Sequence, residues 1–224
     1  MKIKVILLGS TGMIGQGVLM ECIQNSQVES VLLINRKSAG ITHDKLKEII
    51  HPDFYNFDSM VDELKGYDAC FFCLGISSAG KTKEAYHKVT FDLTLGFAKT
   101  LVKVNPDVVF CYVSGAGTDS SEKGRMMWAR VKGKTENALL GLPFRAVFMF
   151  RPGYIQPMDG TRSKTRLYNI LYAVLKPFYF LIKPFRGFAT NNILMGKAMV
   201  NVVVRGSDKK ILESSDINNL ALLD

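Results

Sequence analysis

A glycine-rich turn near the start of the chain has the residue types and spacing to bind a phosphate group. It reads Gly9-Ser10-Thr11-Gly12-Met13-Ile14-Gly15, follows the apolar run Lys4–Leu8 and leads directly into a segment of helical periodicity. The N–H groups and the dipole at a helix N-terminus favour an anion such as a pyrophosphate. We assign the tight turn to Gly9, the close approach of the phosphates to Gly12 and helix-on-strand packing to Gly15. An ordinary turn is the alternative, but the strand–turn–helix context predicts dinucleotide binding.

The end of the second predicted strand indicates which dinucleotide is bound. It reads Ile34-Asn35-Arg36-Lys37, about twenty residues beyond the glycine turn, where NAD-binding proteins commonly place an acid on the ribose hydroxyls. Arg36 and Lys37 stand there instead, and a guanidinium suits a phosphate through charged hydrogen bonds. A solvated basic turn is the alternative. We therefore expect NADP(H), with NAD(H) as the less favoured cofactor.

Two later turns are expected to complete a cofactor cleft. Ligands of this architecture lie beyond the carboxyl ends of the strands, so Leu74 and Gly75, after the fourth strand, are placed beneath the ribose and pyrophosphate. Asn56 and Phe57, after the third strand, are placed at the adenine edge, with a simple loop as the alternative reading.

Strand-length apolar runs alternate with helical segments, which predicts a doubly wound α/β fold of the Rossmann type: a mostly parallel sheet with helices on both faces. The predicted strands are Lys4–Leu8, Ser30–Asn35, Glu48–Tyr55, Ala69–Leu74, Val108–Val113, Arg145–Arg151 and a short one at Lys210–Glu213. The predicted helices are Ile14–Gln24, Lys83–Lys103, Met127–Leu140 and Asn191–Val204. We expect one domain over residues 1–224, to which 152–224 contribute a small substrate-facing C-terminal region, a cap over the end of the sheet.

The composition and charge of the chain bear on its partners and its location. The formal net charge is +9, yet the basic residues form no run and no nucleic-acid-binding motif is present, so we expect no nucleic acid partner. The three histidines lack the spacing of metal ligands. Cys70 and Cys73 match C-x-x-C but lie in an apolar run typical of a strand, where residues three apart point to opposite faces, so we predict no metal site. The apolar run before Gly9 is too short for a secretory signal, and we expect a cytoplasmic protein.

The segment Tyr168–Phe185 is strongly apolar and aromatic. Lys176, Pro177, Lys183 and Pro184 interrupt it, and this argues against a transmembrane helix. Three alternatives remain: a helix packed on the domain, a homodimer or ligand-pocket surface, and a peripheral membrane contact.

With these motifs in place, the chain resembles the atypical, epimerase-like members of the short-chain dehydrogenase/reductase superfamily, nearest the Tat-interacting-protein-like (HTATIP2-type) and nucleoside-diphosphate-sugar epimerase-like proteins. The resemblance rests on the glycine turn, on Tyr112-Val-Ser114-Gly-Ala-Gly, on Val131-Lys132-Gly133-Lys134-Thr135-Glu136 and on Phe150-Arg151-Pro152-Gly153. It implies that the Ser114 hydroxyl steadies a substrate carbonyl and that Lys132 tunes the proton donor and holds the nicotinamide ribose. It also implies that Arg151 and Pro152 border the cofactor.

The chain departs from the superfamily at the tyrosine that moves the proton, because Trp128 stands there. An indole N–H does not ionise at working pH and cannot replace a phenol as general acid or base. Tyr86, Tyr154 and Ser114 are the alternative proton donors. The sequence therefore predicts an NADP(H)-dependent oxidoreductase or epimerase-like protein acting on an unidentified small carbonyl or alcohol, with a non-catalytic NADP(H)-binding regulator as the alternative.

Overall fold

The computed structural model of the chain describes residues 2–157 and 189–223. Their strands are β1 Ile3–Leu8, β2 Val28–Asn35, β3 Leu46–Ile50, β4 Ala69–Phe72, β5 Val109–Val113, β6 Ala146–Arg151, β7 Tyr154–Gln156, β8 Ala189–Asn191 and β9 Ile211–Glu213. The α-helices are α1 Met13–Gln24, α2 Lys83–His87, α3 Leu93–Val104, α4 Met127–Leu140, α5 Asn192–Arg205 and α6 Ser214–Leu220. A 3₁₀ helix spans Asp58–Leu64, and the π-helical turn Lys88–Asp92 joins α2 to α3.

Seven parallel strands form the main sheet in the order β3-β2-β1-β4-β5-β6-β9. The chain starts at the centre of the sheet, builds outward to β3, then crosses back to build the other half. This is the doubly wound order with a topological switch between β1 and β4, and it places the turns after these strands at one edge. The predicted α/β fold is confirmed.

Each face of the sheet packs against its own helices. Alternate residues of β1 separate the two cores: Val5 and Leu7 face α1, α5 and α6, whereas Ile6 and Leu8 face α3 and α4. Such strands are apolar on both faces because helices cover both, which is why their sequences read as unbroken apolar runs.

The largest differences from the sequence-based prediction concern the third strand and the second predicted helix. The third strand ends at Ile50 instead of Tyr55, because Pro52 has no N–H to donate to a ladder. The helix expected over Lys83–Lys103 is divided by the π-helical turn and ends at Val104.

The C-terminal region contributes to the main body as well as to a separate layer. Strand β9 is the seventh strand of the sheet, and α5 packs closely on α1, where a Cβ at Gly17 would lie 2.6 Å from the Asn192 carbonyl oxygen. Among the residues that the structure describes, β7 and β8 form a second, two-stranded sheet. Strand β9 and helices α5 and α6 therefore complete the Rossmann layers, and the contribution of 152–224 to a substrate-facing cap stays a prediction.

The aromatic segment Tyr168–Phe185 lies outside the described residues. Within 2–157 and 189–223, no helix has the length and apolar character to cross a membrane.

Candidate cofactor and catalytic site

The turn after β1 is held by backbone contacts that require glycine. Gly9 has a φ of +87°, and a Cβ there would lie 2.7 Å from the carbonyl carbon of Cys73 in the loop after β4. A side chain at Gly9 would therefore strain its own backbone and push the two loops apart. This contact brings Leu74 beside the glycine turn, as the sequence predicts.

The start of α1 is equally tight. Gly12 precedes the first helical residue, and its N–H donates to the Gly9 carbonyl at 2.9 Å. A Cβ at Gly15 would lie 2.1 Å from the Gly9 oxygen, so α1 packs on β1 with no room for a methyl group. Thr11 and the residues 12–14 remain partly exposed. The result is a turn whose three glycines leave backbone uncovered at a helix N-terminus, which fits a pyrophosphate.

Ser10 belongs to the interior of this turn. Its side chain is buried, and its hydroxyl donates to the Asn35 side-chain oxygen at 2.9 Å. The Asn35 amide in turn donates to Glu48 of β3 at 2.8 Å. Arg36 and Lys37 follow directly and are both exposed at the carboxyl edge. Sequence reasoning missed Glu48, because only strand pairing brings β3 against the end of β2.

The remaining predicted cleft residues are distributed unevenly. Gly75 is exposed and Leu74 is half-buried after β4. Asn56 is exposed, and its carbonyl accepts a hydrogen bond from His51 Nε2 at 2.6 Å. Phe57 is 2% exposed and packs edge-on against Phe97, with ring centroids 4.9 Å apart. The Phe57 side chain thus has a packing role in the core, and Asn56 is the member of the pair that is exposed.

Ser114 and Lys132 meet at the carboxyl end of β5, as the resemblance implies. The Lys132 ammonium donates to the Ser114 carbonyl oxygen. The Ser114 hydroxyl, however, is buried and donates to Glu136 Oε1 at 2.5 Å. The expected orientation of this hydroxyl toward a substrate carbonyl is therefore not the one that the structure shows.

Glu136 is the buried centre of this region and was also missed from the sequence. Its side chain is fully buried, and both its oxygens accept hydrogen bonds from Arg151, with Nε–Oε1 at 3.0 Å. Arg151 also donates to Ser120 Oγ at 2.5 Å and lies 3.7 Å from Glu213. Glu136 raises the pKa of Arg151 through these hydrogen bonds, against the cost of burial.

These contacts revise the picture of Arg151 and Pro152 as cofactor residues. The Arg151 guanidinium is held by carboxylates and a serine of the chain itself. Pro152 is buried, and its carbonyl accepts the Ala116 N–H at 2.9 Å, which fixes the loop after β5. In the structure both residues support that loop.

The loop after β5 lies directly on α4. A Cβ at Gly133 would lie 1.8 Å from the Asp119 carbonyl oxygen, so this helix position must be glycine. Trp128, one helical turn before Lys132, packs its ring toward Gly117, where a Cβ would lie 3.4 Å away. Trp128 therefore forms part of the support beneath the loop.

The candidate proton donors differ in accessibility. Tyr86 is 2% exposed and lies in the interior. Ser114 is bound to Glu136. Tyr154 is partly exposed on β7, and its hydroxyl donates to Gln156 Oε1 at 2.7 Å. Of the three residues, Tyr154 is the one that is partly exposed.

Lys132 has an altered acidity in this setting. Burial lowers its pKa from 10.5 to about 8, while the nearby Glu136 carboxylate opposes the shift. The pKa of this amine is thus much closer to physiological pH than that of an exposed lysine.

Comparisons with known proteins place this geometry in context. No protein-family model matches the chain. The mitochondrial protein fmp52 of Emericella nidulans is 26% identical over 223 residues, which cover 95% of this chain and 92% of that protein. Protein HTATIP2 of Rattus norvegicus is 27% identical over 153 residues, covering 67% of this chain and 62% of that protein.

Among solved structures, UDP-glucuronic acid 4-epimerase of Bacillus cereus, in complex with NAD, superimposes with a TM-score of 0.65 at 13% identity. The alignment covers 94% of this chain and 76% of the epimerase. The chain has the fold of the extended short-chain dehydrogenase/reductases. The resemblance inferred from the sequence, to HTATIP2-type and nucleotide-sugar epimerase-like proteins, is thereby confirmed.

The expected cytoplasmic location is contradicted by the names of these relatives. The fmp52 protein and its namesakes in other organisms are named mitochondrial. The apolar run on which the expectation rested is strand β1, whose burial reports folding and carries no information on compartment.

Proposed function

We propose that this protein binds a nicotinamide dinucleotide at the carboxyl edge of β1, β2 and β4 and acts as an oxidoreductase or epimerase-like protein on a small carbonyl or alcohol. The observation that carries the proposal is the backbone cradle of Gly9, Gly12 and Gly15, where any added Cβ would meet another backbone atom. The NAD complex of the structurally similar epimerase supports it.

The residues that would hold the cofactor follow from their positions. The N-terminus of α1 would take the pyrophosphate, Leu74 and Gly75 would lie along it, and Asn56 would border the adenine. Lys132 would hold the nicotinamide ribose, as in the superfamily. The bound nicotinamide would supply hydride transfer, and this chain would orient it and exclude water.

NADP(H) is the preferred form in this proposal. Arg36 and Lys37 are exposed at the end of β2, where a 2′-phosphate would lie, and a guanidinium binds phosphate with paired charged hydrogen bonds. The acid of this region, Glu48, is bonded to the loop itself.

Titration of the purified protein with NADPH and NADH, followed by nicotinamide fluorescence, tests the proposal. Wild type should bind NADPH in preference, and Arg36→Ala should lose about tenfold or more in NADPH affinity while NADH affinity changes little, since charged hydrogen bonds contribute about 1.5–3 kcal/mol. Arg205→Ala, an exposed arginine at the end of α5, controls for overall charge. Binding of neither nucleotide by wild type would refute the proposal.

A second function, a non-catalytic NADP(H)-binding regulator, is favoured by one observation. Trp128 replaces the superfamily's tyrosine, and the Ser114 hydroxyl is bound to Glu136 in place of facing a substrate. Neither group is then available for proton transfer in the usual way.

Trp128→Tyr separates the two functions. Residues four apart share a helix face, so the new phenol would stand beside Lys132. If the rest of the site is competent, NADPH oxidation with a panel of small carbonyls should rise by about 10²-fold or more over wild type, the usual contribution of a general acid. Wild-type turnover that Tyr154→Phe abolishes would instead identify Tyr154 as the donor. No turnover in any variant, despite NADPH binding, would favour the regulator.

A further inference from the structure

Glu48 makes three hydrogen bonds to the segment that leaves β2. On β3 it lies opposite Leu33 of β2. Its Oε1 accepts from the Asn35 side-chain amide and from the Ala39 N–H, both at 2.8 Å, and its Oε2 accepts from the Ser38 hydroxyl at 2.6 Å.

These partners bracket the two cations. Asn35 precedes Arg36 and Ser38 follows Lys37, so both ends of the basic dipeptide are fixed to one carboxylate. Ser38 Oγ also accepts the Gly40 N–H at 3.1 Å, which closes the turn beyond them. Arg36 and Lys37 are therefore displayed from a short loop whose two ends are tied to the sheet.

The same carboxylate is coupled to the glycine turn. Asn35 bonds Glu48 through its amide and Ser10 through its oxygen, and Ser10 is the second residue of the phosphate cradle. One chain of hydrogen bonds thus runs from the predicted pyrophosphate site to the predicted 2′-phosphate site.

Glu48 is held in its charged form by this arrangement. Partial burial opposes ionisation, but the hydrogen bonds from Ser38, Ala39 and Asn35 outweigh it and lower the pKa of the carboxyl group. A permanent negative charge stands near the place where a phosphate would bind, which by Coulomb's law alone disfavours NADPH.

We propose that Glu48 is a positioning residue which presets the Arg36–Lys37 loop to recognise the 2′-phosphate of NADP(H). This inference rests on the proposed function and adds the element that determines its specificity. If a loop is already ordered before binding, the entropic cost of ordering it does not reduce the binding free energy. The affinity then rises only for ligands that contact this loop. Arg36 and Lys37 would make theirs to the 2′-phosphate, so NADPH should gain and NADH should not.

The positioning role and simple charge repulsion predict opposite effects of Glu48→Ala on the affinity for a 2′-phosphate. If Glu48 acts only through its charge, Glu48→Ala tightens the binding of a 2′-phosphate. If it orders the loop, Glu48→Ala weakens it, and Glu48→Gln, which can keep all three hydrogen bonds with the Ser38 hydroxyl turned to accept, restores it.

Isothermal titration with adenosine 2′,5′-bisphosphate and with AMP measures this without any catalytic readout. Glu48→Ala should weaken the binding of the bisphosphate about tenfold, because the Arg36–Lys37 loop must then be ordered on binding, and should leave AMP binding within about twofold. Glu48→Gln should stay within about threefold of wild type for both. Glu63→Ala, which removes an exposed carboxylate paired with Lys47, is the charge-matched control.

Tighter or unchanged bisphosphate binding in Glu48→Ala, or an equal loss for AMP, would overturn the inference while leaving the proposed function intact. If Glu48→Ala does not fold, Ser38→Ala decides, since it removes one of the three hydrogen bonds and should give a smaller loss confined to the bisphosphate. Wild-type protein that binds neither NADPH nor NADH would refute the proposed function, and this inference with it.

Discussion

The turn after β1 and the region after β5 lie at the same edge of the sheet but are built in opposite ways. The first depends mainly on backbone: at Gly9, Gly12 and Gly15, strand, helix and neighbouring loop approach one another too closely for a side chain. The second is made of side chains that are hydrogen-bonded to one another. Glu136 lies between Ser114 and Arg151 and accepts hydrogen bonds from both.

This difference bears on what each region can do without rearrangement. A backbone cradle at a helix N-terminus presents its N–H groups to a ligand directly. The β5 region uses its hydroxyl and its guanidinium internally, so a substrate carbonyl would have to compete with a buried carboxylate for Ser114. Cofactor binding at the glycine turn would therefore require less rearrangement of this structure than superfamily-type catalysis at Ser114.

Loss of Glu136 should break the second region and leave the first intact. Glu136→Ala would leave Arg151 buried without its main partner, which costs about 3–5 kcal/mol in the free energy of unfolding. Urea unfolding of wild type and Glu136→Ala measures this loss of stability. Glu29→Ala, which removes an exposed pair with Lys4, should cost less than about 1 kcal/mol. A loss of similar size in both variants would show that the Glu136 network does not support the fold.

Alanine at two glycines should separate the regions by function. Gly15→Ala and Gly133→Ala each force a Cβ within 2.1 Å of a carbonyl oxygen, and each should destabilise the fold by about 1–3 kcal/mol or more. Only Gly15→Ala should also weaken NADPH binding strongly, because only it opens the cradle. Gly133→Ala should lift the loop after β5 and leave NADPH affinity within about threefold.

Gly96→Ala is the matched control for these two variants. Gly96 is an exposed position in α3 where, among the described residues, a Cβ meets no atom within 4 Å. Alanine there should raise the free energy of unfolding by up to about 1 kcal/mol. Equal loss of NADPH binding in Gly15→Ala and Gly133→Ala would mean that the two regions respond as one unit.

The first region was predictable from sequence because its information is local. Strand, glycine spacing and helix follow one another within residues 3–24, so the turn and its packing contacts could be assigned from order alone. The topology followed from the alternation of apolar runs and helical segments.

The second region was not predictable because its contacts join distant parts of the chain. Glu136 pairs with Arg151 only after α4 returns to β6. Beside the first region, Glu48 was missed for the same reason, because it reaches the loop after β2 only through strand pairing. A signal did exist for Glu136: it lies four residues after Lys132, and therefore on the same helix face, which packs against the sheet. Strands β7 and β8 could not be predicted because three residues are too few to show an alternating pattern. Their pairing also joins residues more than thirty positions apart in the sequence.

The pKa of Lys132 tests how strongly the region after β5 excludes solvent, and it gives the smallest of the expected effects. Its pKa is about 8 in the folded protein and 10.5 ordinarily, because burial disfavours the ammonium. Between these values the unfolded chain holds a proton that the folded chain has released, so the free energy of unfolding should rise with pH. Because Lys132 is only partly buried, we expect a rise of about 1–2 kcal/mol between pH 8 and pH 10.

Urea unfolding of wild type and Lys132→Met across this range measures the effect as the difference between the two profiles, with Lys81→Met, an exposed loop lysine, as the baseline. Lys132→Met should be relatively most stabilised at the lower pH and should lose that advantage as the pH rises. Parallel profiles would mean that the Lys132 ammonium is well solvated in the folded state. The β5 region would then be as open to a ligand as the glycine turn, and the contrast between the two would rest on Glu136 alone.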